Sequence, residues 1–396
     1  MPASDPIVIA GAARTPMGGF LGDLKDFAAP QLGAKVIEAA LARAGVPAEA
    51  VEEVVMGCVL PAGQGQAPAR QAGIGAGLPL GVGATTINKM CGSGMKAAMF
   101  AHDLIRAETA DIVVAGGMES MSNAPYLLDR ARAGYRMGHG KILDHMFLDG
   151  LEDAYDRGRL MGTFAEDCAE SYQFTRKAQD DFAIASLQRA QKAMRDGAFA
   201  GEIVPVAVKV DKAERVVSED EQPPKARLDK IPELKPAFRK DGTVTAANSS
   251  SISDGAAALL LMRRSEAEKR GLTPRAIIVA HASHADLPSL FPTAPIGAIR
   301  KVYDKAGWTD SDVDLYEINE AFAVVTMAAM RDLHLAHDKV NVNGGACALG
   351  HPIGASGARI IVTLLAALEA RGLSRGVASL CIGGGEATAI AIERMH

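Results

Sequence analysis

Two stretches of the chain repeat one pattern. Residues 88–117, "NKMCGSGMKAAMFAHDLIRAETADIVVAGG", run from a Gly/Ser-rich turn through a helical period to an apolar strand ending in two glycines. Residues 350–385, "GHPIGASGARIIVTLLAALEARGLSRGVASLCIGGG", pass through the same elements to three glycines. Self-similarity on this scale confines the chain to two related halves of roughly 120 residues. Apolar runs rich in β-branched residues, "PIVIAGA", "EEVVMG", "DIVVAGG", "AIIVAHA", "DLYEIN" and "VASLCIGG", alternate with Ala- and Leu-rich helical patterns. The alternation predicts an α/β protein with helix-covered sheets.

Between the halves the composition changes. Residues 121–270 carry more charge, less strand pattern and the proline-rich "SEDEQPPKARLDKIPELKPAF". The expected organisation is a first half over 1–120, an inserted loop-rich domain over 121–270 near whose end the first half closes, and a second half over 271–396. Loops laid over a rigid scaffold are where a substrate handle would bind.

A formal net charge of -5, without a lysine or arginine run, gives little support to nucleic-acid or anionic-membrane binding. Glycine and charge interrupt every apolar window before the ~18 residues of a membrane span. The N-terminal "MPASDPIVIAGAARTPMGG" has neither signal nor transit pattern, so a cytoplasmic protein is expected. Five dispersed cysteines, Cys58, Cys91, Cys168, Cys347 and Cys381, contain no C-x-x-C pair. Neither a disulfide framework nor a metal site is expected from them.

Chemistry is readable at four places. Cys91, in "CGSGMKAAMF", falls where a helix begins; unpaired amides there would lower its thiol pKa. A small cysteine packed under a tight turn explains this fragment equally well. His351 lies between Gly350 and Pro352, where glycines leave room for a base to reach a substrate or a thiol. Cys381 ends a strand before three glycines, whose amides could face an oxyanion, although packing alone accounts for it better. Asn319 and Glu320 join a strand to a helix and either could cap that helix. Cys91, His351 and Cys381 all flank glycine turns, and two of these turns occupy matching places in the repeat. Together they suggest acyl transfer through a cysteine.

The stretches "NKMCGSGM", "GGMESMS", "NEAFA", "GGACALGHPIGASGAR" and "CIGGGEATA" resemble, in order and across nearly the whole chain, the signatures of the thiolases. The resemblance implies two βαβαβαββ halves in a five-layered α/β/α/β/α core, with the inserted domain over coenzyme A. It implies that Cys91 is acylated, that His351 activates it, and that Cys381 moves the proton on the α-carbon of the acyl group. Asn319 would hold a water that, with His351, binds the thioester oxygen, and the amides of Cys91 and Gly383 would form a second oxyanion hole. Ser250, in "TVTAANSSSISDGAA", would contact pantetheine, with Phe238, Met161 and Phe322 beside it.

The sequence also departs from the family's pattern. Pro223 stands where many thiolases carry an arginine near the adenine, with Lys225 or Arg227 as substitutes, and Ala387 where glycine is common. The implied reaction is interconversion of two acetyl-CoA with acetoacetyl-CoA and free CoA, without a further cofactor, by a homodimer commonly doubled to a homotetramer. A broader 3-ketoacyl-CoA thiolase, a non-catalytic acyl-CoA or lipid binder, and a decarboxylating condensing enzyme are the alternatives. The last would carry histidine or asparagine in place of Cys381.

Overall fold

Most apolar runs in this chain become strands buried on both faces, as expected where helices cover a sheet from either side; "AIIVAHA" alternates between buried and half-buried positions. In the computed structural model, which describes residues 5–210 and 213–395, the first half supplies β1 (Ile7–Arg14), β2 (Glu53–Gly57), β3 (Gly83–Ile87), β4 (Ile112–Ser120) and β5 (Ser253–Arg263). Their spatial order is 3-2-4-5-1. The second half supplies β6 (Ala276–Ala285), β7 (Leu315–Ile318), β8 (Arg375–Ile382) and β9 (Glu386–Arg394), in the order 7-8-9-6. Val340, bridged in parallel to Tyr316 of β7, takes the place that β3 holds beside β2. The two orders are therefore the same, and the repeat in the sequence is a repeat of topology. β5, within the stretch 121–270, is an inner strand of the first half, antiparallel to both β1 and β4.

The helices sort into layers. α1 (Ala29–Ala44) and α2 (Pro68–Gly75) cover the outer face of the first set of strands, and α3 (Ser93–Arg106) lies on its inner face. α4 (Met161–Ser171) and α5 (Arg176–Arg195) belong to the insert. α6 (Ala294–Ala306) covers the outer face of the second set, with α7 (Ala323–Asp332) beside it, and α8 (Ser356–Arg371) joins α3 in the middle. Strand alternation matches this order. Ala257, Leu259 and Leu261 of β5 enter the central core while Ala256, Ala258, Leu260 and Met262 enter the outer one. On β9, Ile390 and Ile392 face the centre, and Ala387, Ala389 and Ala391 face outward. The result is the expected five-layered α/β/α/β/α core. The two sets of strands join directly at a short seam, Val8–Ile277 and Ile9–Ala276.

α8 is buried around almost its whole circumference, the mark of a helix enclosed by protein. α3 and α8 begin with the same pair, Ser93-Gly94 and Ser356-Gly357, and touch at these glycines. A Cβ on Gly94 would lie 2.7 Å from the backbone nitrogen of Ala358, and one on Gly357 would overlap the backbone of Met95. Close approach thus requires glycine twice, and it draws together the two loops that precede the helices. The insert folds over that rim.

Candidate active site

The loop before α3 is a strained elbow. Met90 has φ 49°, uncommon for a residue with a side chain and typical of sites where the surrounding structure enforces a shape. Three hydrogen bonds enforce it here: Met90 N–H donates to Asn88 Oδ1 (2.9 Å), Ser93 Oγ donates to the Met90 carbonyl (2.7 Å), and Lys89 N–H donates to Ser93 Oγ (2.8 Å). Gly92 packs on Ile382, where any side chain would collide. The Cys91 loop is thereby held against the end of β8, which carries Cys381 and leads into Gly383.

Cys91 lies two residues before the first residue of α3, and its thiol pKa moves opposite to the sequence expectation. Burial pushes it up to about 11, outweighing the backbone amides of Gly383 and of Cys91 itself, which favour the thiolate. Burial also raises Cys381 well above the ordinary range, and the neighbouring Cys91 adds to the effect. The described structure therefore holds two neutral thiols.

His351 is positioned by backbone and by one hydroxyl. Its N–H donates to the Ser251 carbonyl (3.1 Å) and to Ser253 Oγ (3.2 Å). Its Nδ1 lies 2.6 Å from Ser356 Oγ, and that hydroxyl has an acceptor of its own in the Pro352 carbonyl at 2.9 Å. With the Ser356 proton on Pro352, Nδ1–H donates to Ser356 Oγ and Nε2 is the bare nitrogen. Nε2 is buried without a hydrogen-bond partner. Burial, with a smaller push from the Arg359 charge, lowers the imidazole pKa to about 3, so His351 is neutral and free to accept a proton.

Asn319 stands behind His351. Buried Arg359, paired with Glu317 at 3.3 Å, donates to Asn319 Oδ1 (3.2 Å). That bond turns Nδ2 toward His351, 3.4 Å from Nδ1, a long contact that gives way to the 2.6 Å bond with Ser356 in setting the tautomer. Glu119 joins the other loops: its carboxylate accepts from the amides of Val59 (2.9 Å), Leu60 (3.1 Å) and Gly354 (2.9 Å). Burial raises its pKa to about 7, opposed by those amides.

Cys91, His351, Cys381 and Gly383 line one cavity of about 370 Å³, and so do Ser250, Phe238, Met161 and Phe322. The Phe238 and Phe322 rings meet edge to face at 5.9 Å. The Ser250 hydroxyl donates to the Ala321 carbonyl (3.0 Å), leaving its oxygen lone pairs to accept from a ligand. A second cavity of about 310 Å³ shares Ala246 and Ser251 with the first and is bordered by Lys225, Arg227 and Lys230. Pro223 is buried, its carbonyl accepting from Gln191 Nε2 at 2.8 Å. Lys225 and Arg227 are exposed and paired with Glu221 and Asp229.

Residues 7–265 match the family described as Thiolase, N-terminal domain, and residues 272–394 match Thiolase, C-terminal domain. The chain belongs to the thiolase family. It is 51% identical over 390 residues to an acetyl-CoA acetyltransferase of Cupriavidus necator, covering 98% of this chain and 99% of the relative. It is 50% identical to one of Chromobacterium violaceum with the same coverage. Acetyl-CoA acetyltransferase 2 of Arabidopsis thaliana is 51% identical over 391 residues, 98% of this chain and 96% of the relative.

Three features of this thiolase depart from the reading of its sequence or lay beyond it. Neither Asn319 nor Glu320 caps α7, whose N-cap is Phe322. Glu320 is instead buried, accepting from Ser186 Oγ (2.7 Å), Asn341 Nδ2 (2.8 Å) and the Cys347 amide (3.1 Å). Ser356 and Arg359 went unassigned although both lie in "GHPIGASGAR". Their spacing of three puts them on one helix face, but nothing in it says that the face meets His351 and Asn319. Glu119 had one signal, a lone carboxylate inside the apolar "IVVAGGMES".

Proposed function

We propose that this thiolase transfers acetyl groups between Cys91 and coenzyme A, cleaving acetoacetyl-CoA with CoA to two acetyl-CoA and running the reverse condensation. The observation that carries the reading is one apolar cavity bearing two thiols, a neutral imidazole with a bare Nε2, and the backbone amides beside Cys91 and Gly383. The approximately 50% identity to named acetyl-CoA acetyltransferases supports it. In the cleavage direction His351 takes the Cys91 proton as the sulfur attacks the 3-oxo carbon. The carbon–carbon bond breaks, its electron pair forms the acetyl-CoA enolate, and Cys381 delivers a proton to that carbon. CoA thiol then attacks the acetyl-cysteine, giving its proton to the Cys381 thiolate, and Cys91 leaves, taking back the proton that His351 holds. Splitting one difficult step into two is the gain of the covalent route.

Each developing oxyanion needs fixed donors. Asn319, through a water shared with His351, serves the thioester oxygen, and the amides of Cys91 and Gly383 serve the acyl oxygen. Ser250, Phe238, Met161 and Phe322 hold the pantetheine arm. Lys225, Arg227 and Lys230 at the second cavity supply the positive charge that a nucleotide phosphate requires, in place of an arginine at Pro223. CoA and its thioesters are substrates, and the cycle needs no other cofactor.

The finer context belongs to the same proposal. β3 ends the strand order with an unpaired outer edge among the described residues, which supports edge-to-edge dimerisation. Tyr126, Leu128, Met137 and Ile142 of the insert are exposed, which supports doubling to a homotetramer. The five free thiols suit a reducing cytoplasm and a place in lipid metabolism. No helix among the described residues is long and apolar enough to cross a membrane. The deciding experiment is CoA-dependent thiolysis of acetoacetyl-CoA beside 3-ketohexanoyl-, 3-ketooctanoyl- and 3-ketodecanoyl-CoA. Turnover confined to the four-carbon substrate is expected; comparable rates on longer chains would replace the assignment with a broad-chain thiolase.

A further inference from the structure

Away from the cavity, two histidines and an aspartate meet where the halves of the protein touch. His102 and Asp103 are on α3, and His281 is on β6, 179 residues away from His102. His102 Nδ1 lies 3.1 Å from Asp103 Oδ1, His281 Nε2 lies 3.0 Å from the same oxygen, and the two ring nitrogens are 3.2 Å apart. The three donor atoms thus form a nearly equilateral triangle. A divalent ion with bonds of about 2.0–2.1 Å sets neighbouring ligands roughly 3.0 Å apart in octahedral and about 3.4 Å apart in tetrahedral geometry. The observed edges fall within or next to that interval.

Hydrogen bonding leaves the triangle incomplete. If both nitrogens carry protons, both can donate to Asp103, but the third edge sets N–H against N–H. If one is bare, it accepts from the other and Asp103 loses a donor. A single cation at the centre satisfies all three atoms at once. The imidazole side chains are 13% and 14% exposed and the carboxylate 56%, so the rings are anchored while one side stays open for entry and for water ligands. Two cations oppose binding: Lys305 Nζ donates to the His281 carbonyl (2.9 Å), and the charge of Lys96 acts on Asp103. Asp103 supplies the only anionic ligand.

We infer that His102, Asp103 and His281 form a binding site for a divalent transition metal of the zinc type, completed by water. Its effect is structural. The site lies roughly 14 Å along α3 from the first turn of that helix, at 1.5 Å per residue, and none of its residues lines the catalytic cavity. It ties a helix of the first half to a strand of the second, next to a seam of only two residue pairs. The cysteine pattern gave no hint of it, since no ligand is a thiol and the histidines are far apart in sequence.

The test is titration of the purified chain with Zn²⁺ by calorimetry and with Co²⁺ by visible absorption, beside His102→Gln, His281→Gln and Asp103→Asn. One equivalent is expected in the parent protein, with nitrogen and oxygen ligand bands, no thiolate charge transfer, and a metal-dependent rise in Tm. Each variant should bind at least about tenfold more weakly, the cost typical of disturbing a metal's supporting ligands, while acetoacetyl-CoA thiolysis stays at the parent rate. Thiolate charge transfer, unchanged affinity in the two histidine variants, or no binding at millimolar metal would overturn the site. Exposed Asp103 keeps the test valid should a histidine variant fail to fold. None of these outcomes bears on the acetyl-transfer reading, which activity measures separately.

Discussion

Ser356 Oγ lies 2.6 Å from His351 Nδ1 and donates its own hydrogen bond to the Pro352 carbonyl at 2.9 Å. The first turn of α8 therefore decides which imidazole nitrogen is the base. Ser356→Ala should lower kcat for acetoacetyl-CoA thiolysis about 10- to 100-fold, a part of what a positioned base contributes, with KM within about twofold. Steady-state kinetics checks this, and a parent-like kcat would remove Ser356 from the mechanism.

The two thiols should separate by step. Cys91→Ala is expected to form no acetyl-enzyme with radiolabelled acetyl-CoA. Cys381→Ala should still become labelled but lose carbon–carbon cleavage by about 10²–10⁴-fold, the range for a general acid–base group. Label retained by the first variant, or parent-like thiolysis by the second, would reverse the assignments.

Raised by burial to about 11, the Cys91 thiol is protonated in the free enzyme at neutral pH. The thiolate fraction then grows about tenfold per pH unit up to that value. Alkylation by iodoacetamide, read at Cys91 by mass spectrometry, should climb without levelling from about pH 7 to pH 10. A plateau reached by neutral pH would mean a preformed thiolate–imidazolium pair.

Contact between α3 and α8 tolerates no side chain at Gly94 or Gly357. Gly94→Ala and Gly357→Ala should each cost about 1–3 kcal/mol, as overpacked cores do, read as a lower urea midpoint. Because this contact also draws the Cys91 and His351 loops together, kcat should fall in variants that remain folded. Parent-like stability in both would show that the helices can separate freely.

Much of this was legible in the chain. The repeat around "CGSGM" and "GASGA" foretold equal topologies, because a duplicated pattern of turn, helix and strand has few ways to pack. Cys91, His351, Cys381 and Gly383 were found by their glycine turns and by family resemblance, and they line one cavity. What escaped depends on distance in sequence. Whether a thiol is raised or lowered rests on the balance of burial against nearby amides, and the helix-start argument for Cys91 weighed only the amides. From its place between strand and helix Asn319 read as a possible cap, and its part beside His351 came from the resemblance alone; the residue that holds its carbonyl, Arg359, is 40 residues on. The positive φ of Met90 has no marker at all, since methionine is not a residue that favours it.

The place of β5 has a consequence for how the molecule is made. β1 and β4 are not neighbours; β5 fills the gap and pairs with both. Ser120, the last residue of β4, pairs with Asp254 at the start of β5, so roughly 130 residues must be translated between the partners. At about 5–20 residues per second the ribosome needs on the order of 10 s to supply them. For that interval two long apolar strands emerge with open edges, the state most exposed to wrong pairing. The insert is also synthesised during the wait, so the wall of the substrate cavity leaves the ribosome before the sheet that it will cover is complete.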